Sequence, residues 1–93
     1  MLSDTMLAAL NKQINHEFHA AYAYLGMAGF CDAENFDGFA KWMRLQAEEE
    51  IEHGMKIYEH IQDRGGVVEL MPIDKPAAQF DSIKIMFEQA LIL

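Results

Sequence analysis

The 93 residues predict an all-α fold: an antiparallel helical hairpin, then a crossover loop and the start of a third helix. Three observations carry this. Apolar residues recur at alternating spacings of three and four through two long segments, neither segment contains proline, and turn-forming residues gather between and after them. A chain of this length makes one domain, and 52% apolar with 24% charged residues is a globular composition. So small a chain buries a limited share of its surface and is commonly completed by metal, disulfide or self-association. Cys31 is the single cysteine, so no intrachain disulfide forms and a reducing compartment is the natural setting. Metal and association remain.

The first helix is expected over about residues 4–32, with Ser3 or Asp4 as its N-cap and the short polar residues from Cys31 to Asn35 as its interruption. The second is expected over about residues 36–64, stopped by Gly65 and Gly66. At 1.5 Å per residue each is roughly 42 Å long. Residues 65–81 form the crossover: Val67 to Leu70 suits a short extended piece, and Pro72 and Pro76 forbid a helix. At Asp81 or Ser82 a capping residue precedes Ile83, Met86, Phe87, Ala90 and Leu91, the opening turns of a third helix over about 82–93. Its apolar end, Ala90 to Leu93, implies either a partner to dock on or a longer helix.

A formal net charge of −8 excludes a nucleic-acid backbone or an anionic membrane as partner, since both require clustered Lys and Arg. No stretch approaches the roughly 20 apolar residues of a membrane span. Residues Met1 to Leu10 lack the basic start and apolar run of a secretory signal, so a cytoplasmic location is expected.

The apolar stripes carry charges where none should be. On the first helix Leu7, Leu10, Ile14, Glu17, Ala21, Tyr24 and Ala28 form a seam. At 100° per residue Leu10, Ala21, Tyr24 and Ala28 fall within roughly 40° of Glu17, while Lys12, Asn15 and His19 lie on the far side. On the second helix Phe36, Phe39, Met43, Gln46, Glu50, His53 and Ile57 form the matching seam, and Glu50 sits at its centre. With the hairpin turning near Glu34, Glu17 and Glu50 stand at nearly the same height, about 1.5 Å apart along the axis. His53 lies one turn beyond Glu50 on the same face. Two facing carboxylates in an apolar interior raise one another's pKa or force the helices apart unless a positive charge joins them. Neither seam contains Lys or Arg, so a divalent cation with a neutral imidazole as further ligand satisfies the charge count. Mixed carboxylate and imidazole ligands suit iron, manganese or zinc.

The same residues carry a family resemblance. The run from Leu10 to His19, the run from Gln46 to His53 with its Glu-x-x-His, and Asp63, Arg64, Gly65 and Gly66 before the long crossover resemble bacterial and archaeal ferritins over the whole chain. The resemblance implies a ferritin-like four-helix bundle, of which this hairpin is half, and oxidation of Fe²⁺ by O₂ at a di-iron centre. It implies that Glu17, Glu50 and His53 bind the ferroxidase iron, that Glu49 helps to hold a nearby third iron, and that Tyr24 beside the centre supplies an electron. In that family a complete subunit continues through third and fourth long helices bearing further carboxylate ligands. Within these residues a two-fold axis could supply the equivalent: two hairpins would bring Glu17, Glu50 and His53 twice, four carboxylates against two divalent metals.

Blander readings stand beside these. Glu17 alone could be a core carboxylate held by Tyr24 or Gln46, Tyr24 a packing aromatic, and Glu49 part of a solvated face. His16, His19 and His60 read as surface or flank residues, Trp42 and the seven Met residues as core or interface, and Cys31 as a packed thiol. Alternatives to a ferroxidase are another di-metal carboxylate protein of peroxidase or oxygenase type, and a truncated helical assembly module whose polar seam fixes register.

Overall fold

The computed structural model describes all of residues 1–93. Three helices, α1 (Asp4–Ala33), α2 (Asp37–Asp63) and α3 (Ile83–Ala90), make up its regular structure. The first two pair as an antiparallel hairpin inside a rod of 49 × 18 × 18 Å.

Local chemistry sets the helix ends. The Ser3 hydroxyl accepts the Met6 N–H at 3.1 Å and so caps α1, satisfying one of the donors that every helix start leaves free. At the hairpin turn Asn35 adopts φ 63°, a left-handed conformation that asparagine tolerates better than most residues, and the Phe36 N–H closes on the Cys31 carbonyl at 2.8 Å. At the far end Gly65 takes φ 74° and the Gly66 N–H bonds the Ile61 carbonyl at 2.9 Å, which ends α2. Ser82 caps α3 by accepting the Ile85 N–H at 3.1 Å.

Small residues let the two long helices approach. Ala21 and Ala28 on α1, and Ala40, Ala47 and Gly54 on α2, are buried together with the larger Ile14, Met43 and Ile61. Gly54 is required by the packing: a Cβ there would stand 2.5 Å from Cε1 of Phe18. A second cluster lies nearer the turn, where Met27, Phe30, Cys31 and Met43 bury Met86 of α3. Cys31 is fully buried with its Sγ 3.5 Å from the Met86 sulfur, and burial raises its thiol pKa. Phe30 meets Phe80 edge to face at 5.2 Å, and Phe87 meets Phe39 in the same way at 5.1 Å.

The residues read as core or interface divide by exposure. Trp42 is 46% exposed, and Phe36 and Phe39 of the seam are 42% and 43% exposed. Phe87 of α3 lies against Phe39 and Trp42, and Phe36 against Phe39. Met1, Met6, Met55 and Met71 are exposed likewise, so the core uses only Met27, Met43 and Met86. The piece from Val67 to Leu70 belongs to no strand, because its backbone bonds to side chains of α1 and not to another extended chain.

Candidate metal centre

Glu17 stands midway along α1 and Glu50 midway along α2, and the hairpin brings them to one level. One ligand atom from each of Glu17, Glu50 and His53 lies within 4.8 Å of the others. His53 Nδ1 is 4.0 Å from Oε2 of Glu17 and 3.9 Å from Oε1 of Glu50. The carboxylate side chains are largely buried, 15% and 22% exposed, while His53 is 54% exposed. The group therefore opens onto the uncovered side of the hairpin and is not sealed in a core.

No Lys or Arg forms an ion pair with either carboxylate; the lysine and arginine bridges, Arg44 with Asp32 and Lys56 with Glu52, lie elsewhere. Two acids this close behave as a pair that keeps one proton between them. The hydrogen bond with Glu17 first, then burial and the Glu17 charge, push the Glu50 carboxyl up to about 7. Glu17 is held below its ordinary value, chiefly by the same hydrogen bond and secondarily by Gln13, whose Nε2 donates to its Oε1 at 2.9 Å. A divalent cation would replace the shared proton with two positive charges, and Glu17, Glu50 and His53 are the donors that would hold it. The donor set is carboxylate and imidazole without thiolate, which fits iron, manganese or zinc.

Tyr24 is half-buried on α1, and its hydroxyl pKa is raised by burial first and then by the charges of Glu50 and Glu49. Glu49 is exposed and stands outside the three-residue group. Sequence reading missed Gln13, although its place one turn before Glu17 is the signal of an i, i+4 side-chain pair.

The family model described as a ferritin-like domain matches residues 7–92. The chain belongs to that family. It is 47% identical over 91 residues to a bacterial non-heme ferritin of Staphylococcus aureus, and 50% identical over 91 residues to that of Staphylococcus epidermidis. Each alignment covers 98% of this chain and 55% of the relative. Among solved structures, an engineered closed form of the Archaeoglobus fulgidus ferritin superposes with a TM-score of 0.91 at 42% identity, covering 96% of this chain and 54% of that one. Chlorobium tepidum ferritin gives 0.92 at 34% identity, covering 97% and 55%. The chain thus spans about half the length of the ferritins it matches.

Proposed function

We propose that this ferritin-like chain serves in iron storage by binding ferrous iron at Glu17, Glu50 and His53 and promoting its oxidation by dioxygen. The observation that carries the reading is the convergence of these three donors within 4.8 Å with no basic side chain to neutralise the acids. Family membership and the bacterial non-heme ferritin relatives favour iron over other divalent metals.

Ferrous iron enters as substrate. Glu17 and Glu50 supply the negative charge, with Glu50 placed to bridge, and His53 binds through its neutral imidazole. Iron displaces the proton that the acids share. Gln13 holds the Glu17 carboxylate in place from the side of α1. Two ferrous ions give one electron each to dioxygen, which with two protons leaves as hydrogen peroxide; with one more electron from a third ferrous ion and one from Tyr24, beside the acids, four electrons and four protons would take dioxygen to two waters. Glu49, exposed one residue from Glu50, would hold a third iron at the rim.

Self-association completes the site in this proposal. The donors face the open side of the hairpin, and α3 packs at Phe39 and Trp42, roughly 12 Å along α2 from Glu50. A second copy across a two-fold axis supplies another Glu17, Glu50 and His53, four carboxylates for two divalent ions. No helix is long and apolar enough to cross a membrane, and the reading places the protein in the cytoplasm.

The test is iron-dependent oxygen consumption with the native mass measured in parallel. Glu50→Ala should abolish the rapid phase while circular dichroism shows unchanged helix content. Unchanged oxygen uptake in that variant would remove the site from the reaction.

A further inference from the structure

The crossover between α2 and α3 is longer than its path demands. The eighteen residue-to-residue steps from Arg64 to Ser82 can reach about 60 Å. The hairpin they run back along rises only about 40 Å over the 27 residues of α2. Length alone therefore leaves the register of this segment, and the place where α3 lands, free by some 20 Å.

Two asparagines one turn apart on the outer face of α1 remove that freedom. Asn11 donates its Nδ2 to the Val67 carbonyl at 3.0 Å and accepts the Glu69 N–H on Oδ1 at 2.8 Å. Asn15 repeats the arrangement two residues on: Nδ2 donates to the Glu69 carbonyl at 3.0 Å and Oδ1 accepts the Met71 N–H at 2.7 Å. The Asn15 Nδ2 also donates to the Asn11 carbonyl at 2.9 Å, which ties the second amide to its own helix. Each side chain thus takes one carbonyl and the N–H two residues later, as a neighbouring strand would. The intervening N–H groups of Val68 and Leu70 have no protein partner.

The spacings agree. Four residues of helix rise about 6 Å and two residues of extended chain about 6.6 Å, so successive amides meet successive rungs. The match continues to Gly26, where a Cβ would stand 2.6 Å from the Ala77 carbonyl oxygen and 3.3 Å from Cβ of Pro76. From Asn11 to Gly26 the helix rises about 22 Å. From Glu69 to Ala77 an extended chain covers about 26 Å. The segment runs parallel to α1 with only a few ångströms to spare between these points.

We infer that Asn11 and Asn15 form a clamp that reads the crossover backbone, fixes its register on α1, and so delivers α3 to one seat over Cys31 and the aromatic rim of Phe39 and Trp42. Nothing in this rests on iron chemistry. Its consequence is legible at Cys31, the only thiol, which is fully buried against Met86 of α3.

Hydrogen exchange on the full chain should show an alternating pattern: the Glu69 and Met71 amides protected, those of Val68 and Leu70 not. In Asn15→Asp the acceptor for Met71 persists and the donor to Glu69 is lost, so Met71 should stay protected; in Asn15→Leu its protection should fall about tenfold or more. In the double variant Asn11→Ala, Asn15→Ala, modification of Cys31 by a thiol reagent should accelerate about tenfold or more while helix content from α1 and α2 persists. Uniform exchange across Val68 to Met71 in the unaltered protein overturns the clamp. So does unchanged Cys31 reactivity in the folded double variant. If that variant fails to fold, equal loss of Met71 protection in Asn15→Asp and Asn15→Leu overturns it as well.

Discussion

Replacing Glu17 by Gln isolates the electrostatic coupling at the centre, because it removes one charge and keeps the shape. Two unit charges at the 4.8 Å limit of the donor group repel by roughly 3.5 kcal/mol at an effective dielectric near 20. That repulsion amounts to about 2.5 pH units. Repulsion of that size acts beside the hydrogen bond with Glu17 and burial in raising the Glu50 carboxyl from 4.5 to about 7. In Glu17→Gln the charge and the acid-to-acid hydrogen bond disappear while burial remains, so Glu50 should titrate well below 7, toward its ordinary value. Carbon-detected NMR of carboxyl-labelled, metal-free protein reads this directly. The stability of the metal-free fold should follow. A raised acid favours the folded state below its ordinary value of 4.5, and that contribution is lost as the pH rises through about 7. Glu17, held low, acts in the opposite sense and loses its contribution as the pH falls below 4.5. Between the two values the unaltered protein should therefore weaken with rising pH, and the variant should show a flatter profile. A Glu50 that still titrates near 7 beside Gln at position 17 would refute the coupling and leave burial as the cause.

Metal binding should weaken as the pH falls from about 7 toward 4.5, by about tenfold or more per unit, because each bound ion displaces the shared proton; calorimetric titration in buffers of different ionisation enthalpy measures the protons released, and binding independent of pH over that window would contradict it. At Gly54, substitution by Val puts a Cβ 2.5 Å from the Phe18 ring, an overpacking that should destabilise the fold by roughly 1–3 kcal/mol in urea unfolding. Trimming the ring with Phe18→Leu should recover part of that loss, whereas a stabilised Gly54→Val would show that the helices separate freely.

The hairpin was legible because its signals are local and repeated: the spacing of apolar residues along both long segments, Asn35 at the turn, and Gly65 and Gly66 at the end. The centre was legible for a different reason. Glu17 and Glu50 interrupt apolar seams at matched distances from the turn, and only a charge that folding must neutralise explains the interruption. What periodicity could not give was which side of each helix is covered. Phe36 and Phe39 read as seam residues because their spacing is that of a buried stripe, yet coverage of Phe39 depends on α3, a long-range contact that carries no periodic signal. His53 was placed on the correct face for the same geometric reason, but its exposure depends on what lies beyond that face. Asn11 and Asn15 were hidden more deeply: as polar residues on a helix exterior they match any solvated surface, and only the backbone brought against them gives them a role.

The near-taut run beside α1 gives two neighbouring stretches of chain different tolerances. Between Met71 and Pro76 the identity of most side chains matters little, since they are largely exposed, but their number is set by the rise of the helix underneath. One residue inserted there must bulge outward, and two removed must pull the loop off either the amides or the glycine notch. From Ala78 to Asp81 no helix rise sets the count, although Phe80 must still reach Phe30. Single-residue insertions should therefore be resisted before Ala77 and tolerated better after it, provided that Phe80 keeps its seat.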